Sequence, residues 1–108
     1  GCRFVPDMPW NGLPPLVNDP VLTKEVKKLA AGLPHLRQIV ESDPLTLGED
    51  FAIYLQELPG VFWTLGVRPP EAEEMCPLHN PGMAPDERAI RVGIDMLVAT
   101  GLRFLKKG

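Results

Sequence analysis

Apolar residues recur at helical spacing in three stretches of the chain. The first is Leu22, Val26, Leu29, Ala30 and Leu33, positions that a period of 3.6 residues gathers onto one face. Asn18, Asp19 and Pro20 precede it, giving a capping side chain and a proline suited to a first turn, and Gly32 marks the stop. The second follows Thr46-Leu47-Gly48-Glu49, which has the spacing of a capping box. There a hydroxyl and a carboxylate each satisfy an orphan backbone N–H. That helix carries Phe51, Tyr54, Leu55 and Leu58 on one face and ends before Pro59-Gly60. The third is one continuous stripe of Ile90, Ile94, Leu97, Val98, Gly101, Leu102 and Leu105, started near Asp86 and closed by Lys106, Lys107 and Gly108.

Other stretches lack that period. Residues 61–67 are apolar almost throughout, as a strand buried on both faces should be. Residues 36–40 form a shorter apolar run, a second strand candidate. Residues 1–17 read as an extended arm, because Pro9, Pro14 and Pro15 forbid a helix. Residues 68–85 carry no pattern, and a loop of that length inside a compact domain is usually functional or disordered. The order of arm, helix, strand, helix, strand, long loop and helix predicts an α/β layer with helices packed on a small sheet. Two strands make a poor sheet. A buried strand over 61–67 needs neighbours that these residues do not supply, so the sheet is expected to be incomplete.

Composition narrows the function. The chain has 108 residues, 44% hydrophobic and 23% charged, the size and mix of one small globular domain. Its net charge of -3 argues against nucleic acid, which requires a basic stripe. Lys24, Lys27 and Lys28 read as a solvated helix face. Arg91 and Asp95 interrupt the most apolar helix, so no membrane span is expected. No signal peptide is read, and the Gly-Cys-Arg start fits an excised or truncated segment. Cys2 and Cys76, the only cysteines, suit reduced thiols in a cytoplasmic protein. The 13 prolines concentrate in residues 6–20 and 69–85 and mark irregular backbone there.

Candidate chemistry is sparse. His79 sits in a proline-bounded loop, where a neutral imidazole suits a metal ion because its neighbours restrict the ring. An exposed loop histidine fits the same spacing, and a lone His is no motif. Cys76 and His79 form a Cys-x-x-His pair, but a structural zinc needs four ligands and no second pair exists, only the scattered Cys2 and His35, so a zinc ribbon is rejected. Glu49 and Asp50 are adjacent acids that favour a helix N-terminus. Gly48 either belongs to that cap or lets backbone N–H groups approach a substrate carboxylate. Trp10, Phe51, Tyr54, Phe62 and Trp63 read as core or hinge packing, Asn18 as a helix cap, and His35 is given no role.

Three segments carry a family resemblance. They are Leu13-Pro14-Pro15-Leu16-Val17-Asn18-Asp19-Pro20, then Gly48-Glu49-Asp50-Phe51-Ala52 with Pro59-Gly60-Val61-Phe62 and Leu65-Gly66, and last Leu78-His79-Asn80-Pro81 with Asp86-Glu87 before the final helix. In order and spacing they resemble the C-terminal third of the metal-dependent amidohydrolases that include aminoacylases, hippurate hydrolases and indole-acetyl-amino-acid hydrolases. Members commonly show Ser where this chain has Asn80. The resemblance implies part of a two-metal, aminopeptidase-like catalytic domain over residues 13–108, with residues 1–12 ending a lid or dimerisation domain or its hinge. It implies hydrolysis of N-acyl amino acids with two divalent ions (zinc, manganese or cobalt), His79 as one metal ligand, and Gly48, Glu49 and Asp50 along the substrate wall. The general-base glutamate and the other ligands would lie in an N-terminal part of the same enzyme that is absent here, so the piece by itself would be inactive. The whole enzyme would dimerise through its lid. A non-catalytic α/β interaction domain is the competing interpretation.

Overall fold

The computed structural model describes residues 1–3 and 12–106. Three helices form: α1 (Pro20–Ala31), α2 (Phe51–Glu57) and α3 (Arg88–Leu105). The described residues contain no β-strand, so the expected sheet is not formed by this chain alone.

The α1 helix begins where sequence chemistry places it. The Asp19 side chain accepts a 2.7 Å hydrogen bond from Leu22 N, and Pro20 fills the first turn. The helix ends before Gly32, whose N–H donates to Leu29 O at 3.1 Å. Gly32 keeps a φ of −88°, so the stop uses no left-handed glycine.

Asn18 is not the cap. Its Nδ2 donates to Phe62 O at 2.8 Å, and its Oδ1 accepts from Phe62 N at 2.7 Å. Two capping residue types stand side by side, and only Asp19 occupies the position next to the first helical turn.

The α2 helix starts later than the capping box predicts. Thr46 and Leu47 are exposed in irregular backbone. Glu49 Oε1 accepts from Phe51 N at 3.2 Å, pointing forward into the helix and not back to Thr46. Asp50 stands at the N-cap without a side-chain bond. A helical turn at Leu45 and Leu47 would bury nothing, since both stay bare; the apolar face begins only at Phe51.

Residues 61–67 run between helices. Val61 and Trp63 pack against the core of Val26, Ala30 and Met96 contributed by α1 and α3. A side chain on Gly93 of α3 would stand 3.4 Å from Leu65 Cδ2. On the opposite face the Phe62 ring lies 5.7 Å from that of Phe51 in α2. Side chains therefore alternate, with 61, 63, 65 and 67 half-buried and 62, 64 and 66 exposed. That is the period of an extended segment, with helices above and below it. It is buried on one face, not both, and forms no β-ladder with the other described residues. Residues 36–40 likewise form no strand. Leu36 joins the core, whereas Ile39 and Val40 are exposed.

The apolar stripe of α3 faces outward. Ile90, Ile94, Leu97, Val98, Leu102 and Leu105 are exposed, Leu97 at 67% and Leu105 at 80%. The packed side is a second, less apolar face through Gly93, Met96, Thr100 and Phe104. Arg103 on that side pairs with Glu25 of α1 at 2.8 Å. Helices α1 and α3 thus clasp residues 61–67 while the longest apolar surface stays bare.

Candidate functional site

His79 belongs to a loop whose two ends are tied together. Asp86 N donates to Val67 O at 2.8 Å, closing residues 68–85 at their base. Asp86 Oδ1 also accepts from Arg88 N at 2.9 Å and pairs with Arg88 Nε at 2.8 Å. The Arg88 side-chain hydrogen bond, the largest influence, holds the Asp86 carboxyl below its ordinary range. Arg88 also reaches Glu71 at 3.6 Å, and Arg68 donates to Glu73 O at 3.2 Å. From the sequence Asp86 is only a helix start, and nothing there gives Arg88 a role. Their spacing of two residues at the beginning of α3 was the available signal.

Two consecutive turns shape the tip. Asn80 N donates to Pro77 O at 3.1 Å, which places His79 third in a four-residue turn. His79 has φ 70°, the only non-glycine left-handed backbone among the described residues. That value is what the third position of a type II turn requires; glycine or asparagine usually supplies it. The next turn brings Met83 N to Asn80 O at 3.0 Å, and Asn80 Oδ1 accepts from Gly82 N at 2.8 Å. Asn80 is therefore committed to its own turn. A Cβ on Gly82 would stand 3.2 Å from both Asn80 Oδ1 and Cys76 Sγ, so a larger residue there would have to push these side chains aside.

The His79 side chain is exposed and makes no hydrogen bond or ion pair with the described residues. Gly48 and Asp50 are exposed and Glu49 is half-buried. Gly48 rests against Leu13, whose Cδ1 lies 3.1 Å from where a Cβ would stand. No hydrogen bond or ion pair joins His79 to any of these three. Cys76 is a free, exposed thiol. Among the described residues no group of three or more His, Cys, Asp or Glu is arranged to hold a metal ion. These donors therefore do not build a metal centre by themselves; His79 offers one imidazole. No helix among the described residues is long and apolar enough to cross a membrane.

The model of peptidase family M20/M25/M40 matches residues 3–103. The chain is 29% identical over 93 residues to the "Putative amidohydrolase YhaA" of Bacillus subtilis, covering 86% of this chain and 24% of that protein. It is 32% identical over 107 residues to the N-acetyldiaminopimelate deacetylase of Pediococcus pentosaceus, covering 99% of this chain and 26% of the deacetylase. It is 38% identical over 88 residues to the "Putative glutamate–cysteine ligase 2-3" of Rhodococcus jostii, covering 82% of this chain and 11% of that protein. The chain thus spans about a quarter or less of these relatives. No solved structure was found to match it. With almost its full length matched by one family model, the chain belongs to peptidase family M20/M25/M40.

Proposed function

We propose that this chain is the C-terminal share of a cytoplasmic, metal-dependent amidohydrolase that cleaves N-acyl amino acids. Residues 13–108 would belong to the α/β catalytic domain, and residues 1–12, of which 4–11 lie outside the described set, to the lid or its hinge. The observation that carries the proposal is the left-handed backbone of His79 at φ 70°. A non-glycine residue in that conformation costs on the order of 1–3 kcal/mol and persists where surroundings enforce it, most often at functional sites. Here two turns and a closed loop base enforce it.

His79 would supply one imidazole to a divalent ion (zinc, manganese or cobalt), with the remaining ligands and the general base coming from polypeptide outside these residues. Gly48, Glu49 and Asp50 would border the substrate. The partners are then a small N-acyl amino acid, the rest of the same enzyme and a second copy through the lid, with neither nucleic acid nor membrane involved. A non-catalytic interaction domain would account for the exposed apolar surface, but it gives no reason to strain a histidine.

The test is hydrolysis of N-acetyl and N-benzoyl amino acids, comparing the isolated 108 residues with the complete gene product. The isolated chain is expected to be inactive. In the complete protein His79→Ala is expected to lower kcat/KM by more than the roughly 10–100-fold typical of residues that only orient a ligand. Activity in the isolated chain, or full activity of the His79→Ala protein, would refute the proposal.

A further inference from the structure

We infer that the side chain of Asn80 is what keeps His79 in its left-handed conformation, and so fixes where the imidazole is offered to a metal ion. Asn80 is in this sense a positioning residue that acts through His79. Its link to a metal rests on the functional reading above; its hold on the His79 backbone does not.

Asn80 stands at the junction of two turns. Its N–H donates to Pro77 O at 3.1 Å and closes the first, in which His79 stands third with φ 70°. A type I turn has the same closing bond and a negative φ at its third position. That bond alone therefore does not select the left-handed form, which an L-residue avoids by a factor of roughly 5–30. Nor does the ring select it, because the exposed imidazole makes no hydrogen bond or ion pair with the described residues. The selection comes from the far side of the junction.

There Pro81 steers Asn80 to extended backbone, and three contacts fold the chain back over the first turn. Asn80 O accepts from Met83 N at 3.0 Å, and Asn80 Oδ1 accepts from Gly82 N at 2.8 Å. An asparagine side chain bonded to the amide two residues on mimics a backbone turn and sets the direction in which the chain leaves. Cys76, the residue before the first turn, makes the third contact. Its Sγ and Asn80 Oδ1 flank Gly82, each 3.2 Å from where a Cβ would stand there. The entry to the first turn thus rests on the exit of the second. With both ends held, the peptide between Leu78 and His79 cannot reverse to the type I arrangement without breaking this stack. Any residue at position 80 offers the same main-chain groups, so only the bond from Oδ1 to Gly82 N depends on its being asparagine.

Substitutions of Asn80 in the complete gene product test the assignment. Asn80→Asp keeps an acceptor for Gly82 N, Asn80→Ser makes the same bond more weakly and without charge, and Asn80→Ala removes it. In Asn80→Ala the Gly82 amide should exchange with solvent up to about 10-fold faster. The scalar couplings of a labelled His79, read by NMR, should report the loss of its positive φ. Affinity for zinc or manganese, measured by competition with a chelator, should fall roughly 10–100-fold. Each readout should follow the order asparagine or aspartate, then serine, then alanine, a graded recovery that a general loss of folding does not give. The inference is overturned if His79 keeps its positive φ in Asn80→Ala, or if Asn80→Asp and Asn80→Ser recover nothing. It is equally overturned if metal affinity falls in His79→Ala but not in Asn80→Ala. His79→Ala also separates the two proposals. If that protein binds metal as before, the enzymatic reading fails, and the His79 backbone in Asn80→Ala still decides the inference.

Discussion

Asn18 shows how a residue can be legible in type and illegible in role. Its chemistry, a short amide before a proline-led helix, is that of a cap, yet Asp19 takes that position and Asn18 bonds a residue 44 positions away. No local pattern announces such a partner. Because Asn18 both donates and accepts, two substitutions separate its bonds. Asn18→Asp keeps an acceptor for Phe62 N but sets a carboxylate oxygen against Phe62 O, and Asn18→Ala removes both bonds. Each bond is worth about 0.5–1.5 kcal/mol net. Asn18→Ala should therefore speed exchange of the Phe62 amide by roughly 10-fold or more, and Asn18→Asp should disturb the Phe62 carbonyl while sparing part of that protection. Unchanged exchange in Asn18→Ala would mean that the amide is not what holds the segment. His79 is the opposite case. The flanking prolines announced a stiff loop, but only the coordinates reveal the left-handed backbone at its tip.

Elements were legible where a hydrophobic period and a cap agreed, as in α1. They were misplaced where a motif had no buried face behind it, as in the Thr46 to Glu49 box. The loop over 68–85 is legible by its lack of period, but its closure by Asp86 N on Val67 O and the Arg88–Glu71 pair beside it follow from no periodic pattern. The Asp86–Arg88 pair beside that closure has a pH signature. The Asp86 carboxyl lies below its ordinary value of 3.8, first because of its hydrogen bond with Arg88. A depressed carboxyl contributes stability that is fully present above the unfolded value and is lost as pH falls through the lowered folded value. The turn that starts α3 should therefore be insensitive to pH near neutrality and loosen only in acid below 3.8. The Asp86 carboxyl, followed by NMR, should titrate below that value in the native chain and return toward it in Arg88→Ala. A midpoint unmoved by Arg88→Ala would remove the cation as the cause.

For the whole molecule the largest discrepancy is between apolar content and burial. The chain exposes 9490 Å², against about 6,000 Å² expected of a folded monomer of its mass. The only buried hydrophobic residues among those described are Val26, Ala30, Ala52 and Met96, two of them alanines. The stripe on α3 was the clearest helical pattern in the sequence, yet it is the face left bare, because periodicity reports that a face is apolar and not what it meets. A contiguous exposed apolar face marks an interaction surface, and two leucines measure whether this one is covered in the complete protein. Leu97 and Leu102 are exposed here, so Leu97→Ala and Leu102→Ala should each change the stability of the isolated chain by no more than about 0.5 kcal/mol. If the remaining catalytic domain packs on α3, the same substitutions should each cost about 2–5 kcal/mol in the complete protein, the range for truncating a buried leucine. Chemical denaturation of the two proteins reads the difference. Equal, small effects in both would show that this face of α3 stays open to solvent throughout.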